Sequence, residues 1–427
     1  MVFLMVGFVI LLFLGVPTVL AMGLPSIAYM AMHGTNLSMV AYSFFNKLNT
    51  FSYLAVPMFT LMGIMVNEFG ETDNAFEAAR RLWKGKRGYS ARINVVISLL
   101  FAGMSGAALA DVNGLGNIEI DAMESEGYTR PYASALTIAT AVVGPIFPPS
   151  IPMVLYAVLA EVSSVKCLVA GMLPGVLISF LLYIFVCVMD KRKLVNPPRA
   201  MDTTAADAVP INQVILRALP ITIAPILIII SMLKGVMTPS ETGAVACAYI
   251  LLVAMFHKTF SFQKFIGCLK QTLRSCCPIM IISIAGDLFS KCLVMERLPE
   301  KILSLMGNAA NSKFFVLLMV NIVLLILGMF MESNSAMFLA APIILKMTNP
   351  LGIDPVMMGV IIVYNLMIGL TTPPFGMTIF AVSKVAKVSP QSVIKEVSPM
   401  WIPLVGALIA VNCIPALTMF VPNLLFD

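Results

Sequence analysis

The sequence predicts an all-α integral membrane protein made of two inverted-topology repeats, and three observations support this fold class. The chain has 427 residues, of which 59% are hydrophobic and 11% charged, whereas soluble domains carry about 25% charged residues. Apolar stretches of about 20 residues, the length of a membrane-spanning helix, recur along the chain. The motif GPIFPP at 144–149 returns as GLTTPP at 369–374.

The first half of the chain opens with a stretch that lacks a basic leader, so we interpret it as an uncleaved span rather than a signal peptide. The stretch 24–45 is apolar but interrupted, and no span is assigned to it. An amphipathic helix at 70–90 suits the membrane interface. The remaining elements of this half are spans at 1–22, 51–68, 133–160 and 166–189 and a re-entrant hairpin at 91–123.

A polar stretch at 191–210 divides the chain, and the second half repeats the pattern of the first. It predicts spans at 213–234, 240–256, 275–293, 356–382 and 398–422, an amphipathic helix at 259–272 and a second hairpin at 313–347. The predicted organisation is N-terminal helices with an interfacial helix (1–90), a first repeat (91–190), a cytoplasmic linker (191–210), a second set of helices with an interfacial helix (211–274) and a second repeat (275–427).

Basic residues predict the orientation, because cytoplasmic loops carry an excess of lysine and arginine. They cluster within 80–92, 191–199, 258–274 and 384–387. All four clusters lie in the cytoplasm if both hairpins enter the membrane and return on the same side. Counting each hairpin as an ordinary span moves at least one cluster outside. The first hairpin is therefore expected to enter from the cytoplasm and the second from outside.

The two halves are related by a constant spacing of 225 residues. Gly144 corresponds to Gly369 in the two Gly-Pro-Pro motifs, and the pair at 103–104 corresponds to that at 328–329. Five predicted spans separate the two hairpins, and an odd number places the halves in opposite orientations. Inverted repeats of this kind occur in secondary transporters, whose binding sites lie near the membrane midplane at discontinuous helices.

Each Gly-Pro-Pro motif should break its helix, because proline lacks the N–H that bonds the carbonyl four residues earlier. The carbonyls released in this way belong to Gly144, Pro145, Gly369 and Leu370. Irregular backbone at membrane depth is tolerated only where it is buried or lines a cavity. Freed carbonyl oxygens suit a small cation such as Na⁺.

The hairpin tips, GMSGAALAD at 103–111 and GMFMESNSAM at 328–337, place small and hydroxyl residues at helix breaks. Helix N-termini there favour an anionic ligand. Glu332 is the main ionisable candidate; it could contact substrate, help to hold Na⁺, or be a solvated tip residue. Asp111 is expected to cap the half-helix that follows the first tip.

These stretches together resemble a known family. The matching motifs are GMSGAALAD, GPIFPPSI, AGMLPG (170–175), MTPSETGAVA (237–246), PLGID (350–354) and IGLTTPPFG (368–376). Over essentially its full length the chain resembles the large membrane subunit of tripartite ATP-independent periplasmic (TRAP) transporters. The resemblance implies an elevator-type transporter in the bacterial inner membrane, with Na⁺ as coupling ion. Its transport domain would consist of the two repeats, 91–190 and 275–427, and would slide against scaffold helices in 1–90 and 211–274. It implies a separate four-helix membrane subunit and a periplasmic binding protein as partners.

The resemblance also implies site residues and a substrate class, an organic acid such as sialic acid, another sugar acid, a C4-dicarboxylate or a keto acid. The predicted sodium ligands are Gly103, Ser105, Gly106, Gly144, Pro145, Phe147, Glu332, Ser333, Gly369, Leu370, Thr371 and Thr372. The predicted substrate contacts are Ser105, Ser150, Glu332, Asn334 and Thr372. Many relatives have a serine where this chain has Ala107 and an aspartate in place of Glu332.

Other function classes find less support in the sequence. No HExxH, GxSxG or GxxxxGK[ST] motif appears, and two histidines are too few for a transition-metal centre, so we expect neither an enzyme nor an ATP-driven pump, and no cofactor. The net charge of +6 lies mostly in loops and reports topology, not a nucleic-acid partner. An ion channel, and a stand-alone Na⁺-coupled dicarboxylate or citrate carrier of related fold, remain alternatives.

Overall fold

The computed structural model describes residues 2–34, 38, 40–42, 45, 49–83, 88–105, 108–114, 116–193 and 210–426. Across these ranges all regular elements are helical, and seven helical segments are long and apolar enough to cross a membrane. The prediction of an all-helical membrane protein is confirmed. Most of the predicted linker at 191–210 lies outside the described residues, so its interpretation as a linker stays a prediction.

The first half differs from the prediction at its start, where one span was expected at 1–22. Two helices occupy this region, because Gly15 adopts a left-handed φ of 76° and Pro17 follows it. Gly7 packs against Pro25 across the turn. The helices of this half are α1 (Val2–Phe13), α2 (Thr18–Met32), α3 (Ala55–Glu68), α4 (Glu71–Trp83), α5 (Tyr89–Ser105), α6 (Ala108–Gly114), α7 (Gly116–Glu126), α8 (Arg130–Thr140), α9 (Ile151–Leu159), α10 (Ser164–Ala170) and α11 (Met172–Lys193).

In the second half, the separate amphipathic helix predicted at 259–272 is wrong. That stretch begins a continuous helix of 34 residues, so the predicted boundary at 274 falls inside one element. A short amphipathic helix, Leu298–Met306, follows it instead. The helices are α12 (Ile211–Leu233), α13 (Pro239–Phe256), α14 (Phe262–Met295), α15 (Leu298–Met306), α16 (Lys313–Phe330), α17 (Ser333–Thr348), α18 (Pro355–Leu370), α19 (Met377–Ala386), α20 (Pro390–Val397), α21 (Trp401–Cys413) and α22 (Ala416–Phe426).

The backbone follows the same sequence of elements in both halves. A hairpin precedes a broken helix each time, and the broken helices begin at Arg130 and Pro355, 225 residues apart. Gly127 and Gly352, also 225 apart, both adopt positive φ just before these helices. The Pro-Pro peptide bonds of the two motifs are both cis. The spacing seen in the sequence is therefore matched by local conformation.

Two hydrogen bonds tie the broken helices together at their ends. Arg130, which begins α8, donates from Nε to the carbonyl of Ala386, the last residue of α19, at 2.8 Å. Tyr156 in α9 donates from its hydroxyl to the carbonyl of Pro355, the first residue of α18, at 2.5 Å. The start of each broken helix is thus bonded near the end of the other. This antiparallel pairing brings both breaks to the middle of the pair.

Candidate functional site

The second break, 371–376, separates α18 from α19 and interrupts the helical pattern of backbone hydrogen bonds. The carbonyl of Leu370 accepts the hydroxyl of Thr378 at 2.7 Å. The carbonyl of Gly369 accepts the N–H of Thr372 at 2.9 Å. The hydroxyl of Thr372 donates to Ile368 at 2.8 Å. Both carbonyls that the prolines release therefore have a protein partner.

The first break, 141–150, uses a different residue for the same task. The hydroxyl of Ser150 donates to the carbonyl of Pro145 and accepts the N–H of Met153 at 3.2 Å, which caps α9. The expectation that Pro145 and Leu370 present free carbonyls is therefore wrong. A buried carbonyl without a partner costs free energy, so a nearby hydroxyl occupies one lone pair. Its second lone pair remains available to a cation.

Glu332 at the second hairpin tip is the N-cap of α17. Its carboxylate accepts the backbone N–H of Ser335 at 3.1 Å and the Nδ2 of Asn334 at 2.8 Å. The hydroxyl of Ser333 lies 3.2 Å from the same group. Capping was predicted for Asp111, but it is Glu332 that caps a tip helix, while Asp111 lies in the first turn of α6. The Oδ1 of Asn334 is buried and has no hydrogen-bond partner among the described residues.

The glycines let hairpins and breaks touch. A Cβ on Gly369 would lie 2.6 Å from the Cα of Gly328, so the second hairpin meets its break backbone to backbone. A Cβ on Gly144 would lie 2.6 Å from Oδ2 of Asp111, so the first break meets a side chain. Atoms that face each other this closely leave no room for a side chain at either glycine.

A cavity of about 650 Å³ lies between these parts. Its walls come from the second tip, the first break, the helices α9 and α18 that flank the breaks, and the helices α2, α3, α6 and α14. The structure thus brings together five predicted site residues: Pro145, Glu332, Ser333, Asn334 and Leu370. Six further candidates do not line it. Five of them lie in the breaks, namely Gly144, Phe147, Ser150, Thr371 and Thr372, and Gly369 lies in the last turn of α18. Gly103 and Ser105 belong to the last turn of α5, and Gly106 lies outside the described residues.

Sequence reasoning missed the opposite wall of the cavity. Polar side chains of α3 and α14 line it, namely Thr60, Asn67, Glu68, Gln271 and Ser275. A Cβ on Gly114 of the first hairpin would lie 2.7 Å from Nδ2 of Asn67, so this wall contacts the hairpin closely. Polar residues inside apolar helices were the available signal, but Gln271 fell in a stretch predicted to lie on the membrane surface.

The cavity has an acidic character. Among the described residues that line it, the charged ones are Glu68 and Glu332. Carbonyl, carboxylate and amide oxygens suit hard cations such as Na⁺. Binding an organic acid here requires positive charge from a bound cation or a helix N-terminus, because an unpaired buried anion is costly. The assignments of individual sodium and substrate ligands stay predictions.

Comparison with known proteins identifies relatives along the whole chain. Residues 5–417 match the family model described as "Tripartite ATP-independent periplasmic transporter, DctM component". The chain is 32% identical to the sialic acid TRAP transporter large permease protein SiaM of Vibrio cholerae, covering 98% of this chain and 97% of that protein. It is 33% identical to the sialic acid TRAP transporter permease protein SiaT of Haemophilus influenzae, covering 97% and 67%.

Relatives with other substrates are similar to the same degree. The C4-dicarboxylate TRAP transporter large permease protein DctM of Pseudomonas aeruginosa is 32% identical, with 90% of this chain and 89% of that protein covered. Among solved structures, the YdaH transporter of Alcanivorax borkumensis has a TM-score of 0.63 at 13% identity, over 88% of each chain. At this identity the likeness concerns the fold alone.

Proposed function

Because this chain belongs to the DctM family, the large membrane subunits of TRAP transporters, we propose that it imports an organic acid and that a Na⁺ gradient drives the uptake. The family is one of transport permeases, so its task is to move a solute across the membrane. The acidic cavity of about 650 Å³ carries the proposal. An acid can enter it only together with compensating positive charge, which makes cation and substrate binding interdependent.

In this proposal, sodium ions bind at the two breaks and substrate binds in the cavity. One ion uses the carbonyls of Gly144 and Pro145 with the first tip, and the other those of Gly369 and Leu370 with the second. The Oδ1 of Asn334, which has no partner among the described residues, accepts a hydrogen bond from substrate. Ions at the breaks supply the charge that the cavity lining lacks. The remaining sodium ligands predicted from the sequence surround the ions at the breaks, and the remaining predicted substrate contacts surround the substrate in the cavity.

We propose that the two repeats have inverted topology and move as an elevator. The reciprocal bonds between the broken helices support the inversion, because an antiparallel pair related by a fixed spacing has approximate two-fold symmetry. The broken helices and hairpins form the transport unit, which slides against α2, α3, α13 and α14. The close approach of Asn67 to Gly114 lies on this sliding surface.

The partners in this proposal are a small four-helix membrane subunit and a periplasmic protein that delivers the acid, with the complex in the bacterial inner membrane. The relatives' names include transporters for sialic acid, C4-dicarboxylates and isethionate. All three are organic acids, which supports the substrate class and leaves the individual acid open to measurement.

Reconstituted uptake tests the proposal. Proteoliposomes that hold this chain and the small subunit should accumulate the acid only when the binding protein and an inward Na⁺ gradient are both present. Uptake without the binding protein would instead identify a stand-alone carrier. A passive ion flux that does not saturate as the substrate or Na⁺ concentration is raised would identify a channel. A thermal-shift screen of the binding protein against organic acids selects the substrate for the assay.

A further inference from the structure

The first repeat contains a buried carboxyl group that the proposed transport steps do not use. Glu119, on α7, has only 2% of its surface exposed. The Nδ2 of Asn94 donates to its Oε2 at 2.9 Å, and the hydroxyl of Ser98 lies 3.5 Å from its Oε1. The hydroxyl of Thr137 accepts from the same Nδ2 of Asn94 at 3.0 Å. These partners are neutral, so none of them offsets a negative charge.

Among the residues that the structure describes, the charged neighbours of Glu119 do not supply a cation either. Helices α5, α6, α8 and α19 pack against α7. The titratable groups on these four helices and on α7 itself are Tyr89, Arg92, Asp111, Arg130, Tyr132, Lys384, Asp121, Glu124 and Glu126. Arg92 pairs with Asp190 at 2.6 Å, and Arg130 with Glu124 at 2.5 Å. Lys384 is exposed.

An ionised carboxylate in this position is costly. Removing a carboxylate from water without a paired cation costs several kcal/mol, and ionisable groups inside membranes mark ion and proton pathways. Asp111, which interacts electrostatically with Glu119, adds a further acidic group. A bound proton removes the cost, because a neutral carboxylic acid both donates and accepts hydrogen bonds.

We propose that Glu119 is a proton-binding site of the transport unit, and that its proton competes with the cation at the first break. Two connections reach that break. The Oδ1 of Asn94 accepts the hydroxyl of Thr140 at 2.8 Å, and Thr140 is the last residue of α8 before the break. Asp111 lies against Gly144 on the other side. The competition with Na⁺ rests on the function proposed above.

The direction of the effect follows from charge. Loss of the proton from Glu119 adds a negative charge near the break and raises its affinity for Na⁺. By linkage, Na⁺ binding lowers the affinity of Glu119 for its proton by the same factor. The site belongs to the first repeat, because the residues that correspond to Asn94 and Glu119 are Met319 and Ile344.

Infrared spectroscopy of the purified complex with its small subunit tests proton binding without any transport step. In Na⁺-free buffer, the wild-type complex should show the C=O stretch of a protonated carboxyl group that Glu119→Gln lacks. Addition of Na⁺ should reduce this band in the wild type. A band of equal size in wild type and variant overturns the proposal, and so does a wild-type band that Na⁺ leaves unchanged. A Na⁺-sensitive band in a complex whose uptake needs no Na⁺ gradient would reject the proposed driving force but retain the proton site.

Uptake measurements test the competition. Between about pH 6 and about pH 8, the Na⁺ concentration for half-maximal uptake should fall at least about fivefold in the wild type, a change within the usual range of coupling between sites. In Glu119→Gln it should change less than about twofold. The control is Asp121→Asn, an exposed carboxyl on the same helix, which should behave like the wild type. A Glu119→Gln protein that keeps the wild-type pH dependence overturns the proposal.

Discussion

The two repeats have the same order of backbone elements, but they differ in the polar side chains that are bonded to the helix before each break. Thr140 and Asn365 occupy corresponding positions, 225 residues apart. Thr140 leads through Asn94 to the carboxyl group of Glu119. Asn365 instead donates to Asn321 at 2.7 Å, and Asn321 donates to Asn412 at 2.9 Å, so the second network consists of amides.

This difference shows which parts of a repeat are constrained. The glycines, the prolines and the left-handed turns coincide because backbone geometry admits few residues at those places. The side chains that satisfy the broken backbone are interchangeable, since any buried donor of suitable reach will do. An amide network cannot lose a proton near neutral pH, whereas a carboxyl group can. The two breaks are therefore geometrically alike but chemically distinct.

The largest effect is expected when alanine replaces the glycine of each motif, and the loss of uptake should differ between the two. In Gly369→Ala the new methyl group meets the backbone of Gly328, which cannot move aside, whereas in Gly144→Ala it meets the side chain of Asp111. Overpacking costs about 1–3 kcal/mol, so Na⁺-dependent uptake should fall by an order of magnitude or more in Gly369→Ala and by less in Gly144→Ala. Gly406→Ala is the control, because a Cβ there meets nothing within 4 Å. Equal losses at both breaks would contradict the distinction.

A smaller effect compares the hydroxyls that satisfy the breaks. Thr378→Val leaves the carbonyl of Leu370 without its partner, at a cost of about 1–3 kcal/mol. Ser150→Ala leaves that of Pro145 unpaired and also removes the cap of α9, worth about 0.5–2 kcal/mol more. Thermal unfolding of the purified complex should therefore show a larger loss for Ser150→Ala. Thr378→Ser keeps the hydroxyl and serves as control; the comparison fails if it is as unstable as Thr378→Val.

The smallest effect concerns the ties between the repeats. Tyr156→Phe removes one hydrogen bond, to the carbonyl of Pro355, and keeps the ring that packs on Gly359. The unfolding free energy should fall by about 0.5–1.5 kcal/mol, with little change in uptake. Tyr42, whose exposed fraction is 69%, provides the matched control in Tyr42→Phe. A complete loss of uptake in Tyr156→Phe would show that the tie takes part in transport.

Much of the fold could be predicted from the sequence because its signals are local. Proline, glycine and apolar length act within one helical turn or one span, so the breaks and the repeat spacing were visible directly. The turn between α1 and α2 was missed although Gly15 and Pro17 signal it, because apolar length outweighed them. The start of α14 was also missed, since its basic residues resemble those of a surface helix.

The candidate site was predicted less completely because its contacts join distant residues. The hydroxyl that satisfies Leu370 comes from Thr378, across a break whose geometry no local rule gives. Asn67 and Gln271 reach the cavity only through the packing of α3 and α14 on the hairpins. Glu332 was found by its rarity in a membrane segment, but its role as a cap depends on where α17 begins.

The bonds that join the broken helices have a consequence for synthesis of the chain. Arg130 and Ala386 are 256 residues apart, and Tyr156 and Pro355 are 199 apart. The first broken helix therefore leaves the ribosome long before Pro355 and Ala386 have been synthesised. Until the second has been inserted, α8 and α9 remain in the bilayer without the surface that holds their ends. Pairing of the two broken helices is thus one of the last events of biogenesis, and a chain truncated before Pro355 cannot form it.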